Sequence, residues 1–408
     1  MWFESSIRWR ARLTLRALRS TWRDASAAED HWLLRHVSEN ARSAFGLAHR
    51  FRQMRSASDF QRDVPVRSLA EVQRATADLR RGLQRGLTVR PPFCLAVSEE
   101  GEVPVAAESR REGARLWRLW AAGVEQAHPG ALAGSHAVVP EGTPGRSLRA
   151  RGVRVLAGEL AVPWTPCRRA AVPAPVAGVR DALLRAFLAA RFALASEVTL
   201  LSARSAADLA AFGKLVQDHA PSLIRAIRDG SPGVFACEQP RLCKSLMRGL
   251  RPDPVRARAL DRAAERLGRL RLVDAWPGLK ALAVRSGAYP EGGLWPWYGN
   301  RPVVGTGVFV GPERVALPIQ GLDGPCALTS PGWTEFLPSP PGREPLRQHE
   351  LQEGESYQVV VTTPGGLYRI ATPVWVRAAG HRDGAALVEP VDPPVAGRCA
   401  PGAPHLAS

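Results

Sequence analysis

Long apolar runs are missing from this sequence of 408 residues. No stretch approaches the roughly 18 apolar residues that a transmembrane helix needs. The N-terminal segment MWFESSIRWRARLTLRALRS is rich in arginine and lacks the apolar core of a secretory signal. We therefore expect a cytoplasmic protein without a transmembrane segment.

The sequence also lacks the patterns that mark metal sites and common catalytic sites. Its six cysteines are scattered, with no Cys-x-x-Cys pair and no histidine at a metal-binding spacing, which argues against a zinc site and a disulfide framework. There is no Gly-x-Ser-x-Gly turn, no phosphate loop ending in Gly-Lys-Ser/Thr and no His-Glu-x-x-His. We therefore predict no metal ligand and no catalytic residue from these signatures.

Lysine is almost absent. Among the 55 Lys and Arg residues only Lys214, Lys244 and Lys280 are lysines, and the formal net charge is +17. The arginines run along the whole chain, whereas a nucleic-acid-binding protein concentrates its charge on one face or arm. The exception is the segment from Arg8 to Arg23, which we expect to be a basic helix. Such a helix can bind an anionic membrane or nucleic acid, but a packed N-terminal helix with one exposed face is the commoner arrangement.

Apolar periodicity predicts helices first and strands later. One long helix is expected from Leu209 to Gly230, and later segments such as VVGTGVFV, YQVVV and VWVRA have the composition of strands. The order predicts an α/β or mixed architecture. We expect a helical N-terminal region over 1–86, an α/β domain over 87–384 and a disordered tail over 385–408.

Several segments, taken in order, carry a resemblance to a known family. ENARSAFGLAHRF followed by SASDFQRDVPVRSLAEVQ is similar to the opening of the Gretchen Hagen auxin-responsive promoter family of acyl-acid amido synthetases. RPPFCLAVSEEGEVP lies where that family has its phosphate loop, GTGVFVGPERVALPI lies at its second nucleotide motif, and YQVVVTTPGGLYRIATPVWVRAAG lies at its third. AWPGLKALAVRSG and SPGWTEFLP resemble two further strands of the family. The similarity extends from about Asn40 to Gly380.

This resemblance implies a fold and a chemistry. The family belongs to the adenylate-forming superfamily, so the chain should adopt its large N-terminal domain, with a helical N-terminus, mixed sheets flanked by helices and a β-rich C-terminal portion. Family members activate a carboxylic acid with ATP and magnesium to an acyl-adenylate, which an amine then attacks. The phosphate loop binds the triphosphate through backbone N–H groups, the second motif supplies a glutamate for magnesium, and the third supplies an aspartate for the ribose. A small C-terminal domain then closes over the site.

The sequence departs from the family at the first two motifs. At the phosphate loop only Ser98 and Gly101 remain as relics. The acidic segment SEEGE lies where the family binds the negatively charged triphosphate. One contact between like charges near 4 Å costs on the order of 4 kcal/mol at an effective dielectric of about 20. In the second motif the glutamate, Glu313, is displaced by one position, which turns a strand side chain to the opposite face unless a bulge restores it.

The third motif has also changed. Tyr368 and Arg369 are retained, whereas Ala371 replaces the family's second arginine and Val374 replaces its aspartate. The chain also ends where the family's hinge leads into the closing domain, so we expect that domain to be absent. We interpret Ser98, Gly101, Glu313, Tyr368 and Arg369 as relic positions of a nucleotide site.

These departures predict a protein that keeps the fold without the reaction. We expect a non-catalytic binding or scaffold protein that uses no cofactor and binds a small carboxylic acid or a protein partner. One alternative is an active ligase that uses ATP and magnesium with divergent motifs, its closing domain being supplied by another polypeptide. The other is a protein that binds an anionic membrane or nucleic acid through its basic N-terminal helix.

Overall fold

The computed structural model describes most of the chain. The described residues are 2–82, 85–98, 101–140, 147–150, 153–157, 170–233, 240–285, 293–311, 313–318, 325–329, 332–339 and 344–393. The α-helices are α1 Trp2–Trp22, α2 Ala25–Glu39, α3 Ala44–Ala48, α4 Ala57–Asp63, α5 Leu69–Arg80, α6 Ala107–Ala127, α7 Ala182–Leu194, α8 Ala206–Asp218, α9 Ala220–Asp229, α10 Pro240–Met247, α11 Pro254–Leu267, α12 Leu272–Ala275 and α13 Trp295–Tyr298.

The strands are mostly short. They are β1 Arg67–Ser68, β2 Cys94–Ser98, β3 Gly101–Val105, β4 Ser135–Val138, β5 Ser147–Ala150, β6 Val153–Ala157, β7 Val198–Ala203, β8 Ala281–Val284, β9 Val303–Gly305, β10 Val308–Val310, β11 Glu313–Pro318, β12 Cys326–Leu328, β13 Trp333–Pro338, β14 Ser356–Thr362, β15 Ile370–Arg382 and β16 Ala385–Val391. Short 3-10 helices occupy Phe51–Gln53, Ala174–Gly178 and Gln348–Glu350.

The strands form three sheets. The largest has the order β10-β11-β12-β16-β15-β14-β13 and is antiparallel throughout, with β1 added parallel to β15. A second sheet has the order β3-β2-β6-β5, and a third, fully parallel sheet has the order β4-β7-β8-β9. The predicted α/β class, with a helical N-terminus and a β-rich C-terminal portion, is confirmed.

Two main cores hold the sheets in place. One packs helices α7, α8, α9 and α11 around the parallel sheet, where β8 is buried along its whole length because a parallel sheet is covered on both faces. The other lies between the large sheet and the β2–β3 hairpin, with apolar residues of α5 closing it. This second core positions the segments that the family resemblance singled out.

Helix α1 is packed rather than detached. Leu18 and Trp22 are buried with residues of α6, and the Trp22 indole N–H donates to the Leu328 carbonyl at 2.9 Å. The opposite face is basic, and its exposed arginines are Arg12, Arg16, Arg19 and Arg23. None of the helices in the described part of the chain combines the length and the apolar composition of a transmembrane span.

The expected long helix is divided in two. The chain breaks at His219, whose φ of −108° and ψ of 13° lie outside the helical range, so that α8 ends there and α9 begins. Pro221 stands in the first turn of α9. The first N–H groups of a helix have no intrahelical partner, so proline is tolerated at that position but not in the middle of one long helix.

The predicted start of a disordered tail at residue 385 is wrong. Residues 385–391 form β16, which lies between β12 and β15 in the large sheet, and Ala385, Ala386 and Val388 are buried. Pairing on both edges and burial of these apolar side chains outweigh the Pro-rich composition that suggested disorder. Residues 394–408 lie outside the described part of the chain.

Candidate functional site

The phosphate-loop position is an antiparallel hairpin. β2 and β3 pair in register from Cys94 opposite Val105 to Ser98 opposite Gly101. The residues between Ser98 and Gly101, which carry two of the acidic side chains, lie outside the described residues. The segment GEVP, which the resemblance assigns to a phosphate loop, is therefore part of a strand.

Helix α5 holds this hairpin through Gln73. The Gln73 Nε2 donates to the Glu102 carbonyl at 3.1 Å, and its Oε1 accepts from the Glu102 N–H at 3.0 Å. Gly101 has a φ of +123°, and a Cβ there would lie 2.6 Å from Gln73 Nε2, so glycine suits both the backbone conformation and the close approach. The Glu102 carboxylate forms an ion pair with Arg80. Glu102 thus turns its charge and its backbone groups toward α5.

Glu313 begins β11 and is buried. Its Oε1 accepts a hydrogen bond from the Ser109 hydroxyl in the first turn of α6 at 2.8 Å. Burial raises the pKa of Glu313 to about 7, the Ser109 hydrogen bond opposes this rise, and the nearby charge of Glu108 adds to it. No cation of the described residues pairs with this carboxylate.

Tyr368 is buried in an aromatic cluster under the N-terminal helices. Its ring stacks on Phe45 with a centroid distance of 4.6 Å and an interplanar angle of 3°, and it meets Phe51 edge-on at 5.2 Å. The Tyr368 hydroxyl donates to the Leu87 carbonyl at 3.0 Å. Tyr368 therefore connects α3 and the chain after α5 to the large sheet. Its hydroxyl proton is used in the hydrogen bond to Leu87 and is not free to bind a ligand.

Arg369 is the centre of a buried polar network. Its Nε and Nη2 donate to the two carboxylate oxygens of Glu335, both at 2.8 Å, and its Nη1 donates to the carbonyls of Gln61 at 2.6 Å and Val64 at 2.7 Å. The Gln61 side chain also donates to Glu335 at 2.9 Å. Burial raises the pKa of Glu335, and the bond to Arg369 opposes that rise. The guanidinium thus ties the end of α4 to β13.

The three motif segments meet around β3. Gly365, in the turn that precedes Tyr368, packs so closely on the Pro104 carbonyl that a Cβ would collide with it. Gly311, which precedes Glu313, lies against Val103, where a Cβ would be 3.3 Å from the valine Cγ2. The structure therefore brings the backbones of the three predicted segments together. It does not bring their side chains together, because Tyr368 and Arg369 point into the network with α3 and α4.

A second polar feature lies beside Glu313 and was not predicted from the sequence. Arg314 and Arg285 both place their guanidinium groups over the ring of Phe309, at 4.9 and 4.5 Å from its centroid. Arg314 is opposite Phe309 in the pairing of β10 with β11. Arg285, which follows β8, also donates from Nη2 to the Gly311 carbonyl at 2.8 Å. Only the strand register could have revealed this arrangement, because it depends on which residues pair across the hairpin.

Solved structures of acyl acid amido synthetases share this fold. The GH3.15 acyl acid amido synthetase superposes with a TM-score of 0.74 at 19% identity, and the match covers 89% of this chain and 67% of that one. The AtGH3.15 acyl acid amido synthetase in complex with 2,4-DB superposes with a TM-score of 0.75 at 18% identity, covering 94% and 70%. The fold is therefore that of the acyl acid amido synthetases, and the chain spans about two thirds of their length.

The family is established by the sequence itself. The model of the GH3 family N-terminal domain matches residues 14–290, and that of the GH3 family central domain matches residues 326–382. The chain belongs to the GH3 family, and the predicted resemblance to that family is confirmed. Among curated proteins, no sequence matches this chain.

Proposed function

We propose that this chain keeps the GH3 scaffold but has lost ATP-dependent adenylation, and that it acts as a non-catalytic protein that binds a small carboxylic acid. The proposal rests on one observation: polar groups of the three motif segments already form hydrogen bonds within the protein. Gln73 uses the backbone groups of Glu102, Ser109 binds Glu313, and Glu335 binds Arg369. Polar groups engaged in this way are not available to a nucleotide.

The described residues do not fit a magnesium-bound triphosphate. Magnesium is held by ionised carboxylates and by phosphate oxygens in near-octahedral geometry. Glu313 is buried with a raised pKa of about 7, so much of it is protonated at neutral pH. Within the described part of the chain, no group of three or more His, Cys, Asp and Glu side chains is arranged to hold a metal ion.

The hairpin at the phosphate-loop position also fits a triphosphate poorly. A phosphate site needs several free backbone N–H groups that point at one place. The N–H of Glu102 already donates to Gln73, and pairing of Ser98 with Gly101 continues the strand to the edge of the described residues. A triphosphate at this hairpin would have to displace hydrogen bonds that the protein already makes.

The ribose position lacks its acid. Val374 stands where the family resemblance implies an aspartate, and it packs against the core between the large sheet and the hairpin. An apolar side chain accepts no hydrogen bond from a ribose hydroxyl. This replacement is better explained by a loss of nucleotide binding than by a change of acid substrate.

A carboxylic acid is the ligand class that the scaffold supports best. The structure of the AtGH3.15 acyl acid amido synthetase was solved in complex with 2,4-DB, so a protein of this fold can bind that compound. We therefore expect 2,4-DB and related aromatic acids to bind this chain in the absence of nucleotide. An active ligase with divergent motifs is the competing outcome of the experiment.

The test combines calorimetry with an exchange assay on the full chain. ATP with magnesium should give no binding heat and no acid-dependent exchange of pyrophosphate into ATP, whereas 2,4-DB should bind. Acid-dependent exchange would overturn the proposal, and its disappearance in Glu313→Gln would assign magnesium binding to Glu313. Glu265→Gln, which changes an exposed carboxylate on α11, is the matched control.

A further inference from the structure

Arg314 is a buried cation with unsatisfied donors. Its exposed fraction is 7%, and its Nε and Nη1 have no hydrogen-bond partner. Among the described residues, no carboxylate is recorded as an ion-pair partner of Arg314. A buried charged donor without a partner carries the full cost of its desolvation, so native proteins rarely leave one in this state without a reason.

The surroundings of Arg314 add positive charge. Burial lowers the pKa of Arg314 to about 9, and the charge of Arg285 contributes to the lowering. The thiol of Cys326 lies close enough to interact, but burial raises its pKa to about 12, so it stays neutral near pH 7. The electron-rich face of Phe309 offsets part of the charge, since a guanidinium over an aromatic ring is attracted by the ring's negative face.

The neighbours of Arg314 are partly exposed to solvent. Arg285 and Phe309 are half-buried, whereas Arg314 itself is buried. The guanidinium groups of both arginines lie over one ring, at 4.5 and 4.9 Å from its centroid. A small ligand that entered beside Arg285 would meet the unsatisfied donors of Arg314.

We propose that Arg314, supported by Arg285 and Phe309, is an oxyanion-binding site for a carboxylate or a phosphate group. A planar guanidinium donates to such groups through paired N–H bonds, which are roughly twice as strong as bonds between neutral groups. The bound anion supplies the missing charge and accepts from Nε and Nη1. The site does not depend on the loss of adenylation, because neither arginine is one of the five relic positions, although Arg314 lies in the second motif segment next to Glu313.

Three sodium salts at equal ionic strength test this site in the full chain: benzoate, phosphate and chloride. Benzoate or phosphate should raise the melting temperature in a saturable manner beyond the effect of chloride, and calorimetry should give a matching dissociation constant. A response to benzoate alone assigns the site to carboxylates, and a response to phosphate alone assigns it to phosphate groups. Equal effects of all three salts would overturn the proposal, since they would reflect screening only.

Two variants locate the effect. Arg314→Met should weaken anion binding by roughly tenfold or more, because it removes charged hydrogen bonds. In chloride alone the same variant should melt at a higher temperature than the parent protein, because a buried unpaired charge has been replaced by an apolar side chain. Arg258→Met, on the exposed face of α11, should leave binding unchanged. Undiminished anion binding in Arg314→Met would refute the assignment.

Discussion

Arg369 and Glu335 form a two-bonded ion pair inside the protein, with both N–O distances at 2.8 Å and side-chain exposures of 5% and 1%. Arg369 has a φ of 50°, a left-handed conformation that is uncommon for residues other than glycine. Its guanidinium is satisfied by Glu335 and by two carbonyls near the end of α4. The conformation and the contacts together give this residue a structural role.

Glu335→Ala should destabilise the protein by about 3–5 kcal/mol, since it leaves the Arg369 charge buried without a partner. Equilibrium unfolding in denaturant measures the loss. The control is Glu389→Ala, which breaks the more exposed pair of Glu389 with Arg377 and should cost less than about 1 kcal/mol. Similar losses for both variants would show that the Arg369 charge is relieved by water, contrary to the structure.

Gln73→Ala should loosen the β2–β3 hairpin. It removes both side-chain hydrogen bonds to the backbone of Glu102, and each is worth about 0.5–1.5 kcal/mol. Amide hydrogen exchange of Glu102 should become faster, whereas the exposed control Gln53→Ala should leave it unchanged. Exchange at the parent rate in Gln73→Ala would mean that the strand pairing alone holds the hairpin.

Gly365→Ala tests whether the third motif packs on β3. The new methyl group would collide with the Pro104 carbonyl, and we expect a loss of about 1–3 kcal/mol in the free energy of unfolding. Gly86→Ala is the matched control, because a Cβ at Gly86 meets no atom within 4 Å. Equal stability of the two variants would contradict the contact between the turn and β3.

Glu313 should make stability depend on pH in a defined direction. Its pKa is about 7 in the folded protein and lies near the ordinary value of 4.5 when unfolded, so the folded state favours the protonated acid. The stability that this group contributes is full below about pH 4.5 and is lost as pH rises through 7, by about 3 kcal/mol in total.

Glu313→Gln should therefore gain stability over the parent protein between pH 5 and 8 and match it near pH 4. Thermal unfolding across this range measures the difference. Glu265→Gln, at an exposed position, should show no comparable trend. A difference for Glu313→Gln that does not change with pH would mean that folding does not raise the pKa of Glu313.

The sequence predicted the order of the family segments and several of the helices and strands, because periodicity and local motifs are properties of neighbouring residues. Through the family resemblance it also identified Tyr368 and Arg369 as retained positions of the third motif. It could not name Glu335 as the partner of Arg369, or Phe309 as the ring beneath Arg314, because both depend on strand register. Register is set by contacts between distant parts of the chain, which a single sequence does not display.

The predicted relic positions in the hairpin show the same limit. The resemblance interprets Ser98 and Gly101 as remnants of a phosphate loop, and in the structure they face each other across a strand pair that Gln73 supports. A local pattern cannot distinguish a glycine kept for a ligand from one kept for a neighbouring side chain. The contact between Gly101 and Gln73 belongs to the packing of α5 on β3, which lies 28 residues away in sequence.

The short strand β1 pairs in parallel with the start of β15, and the Arg67 N–H donates to the Arg369 carbonyl at 2.9 Å. During synthesis, Arg67 leaves the ribosome long before Arg369 exists. At about 5–20 residues per second the interval is roughly 15–60 s. For that time α3 and α4 lack the Tyr368 ring and the Arg369 guanidinium that complete their packing. The packing of these two helices is therefore finished only when nearly all of the described residues have been made.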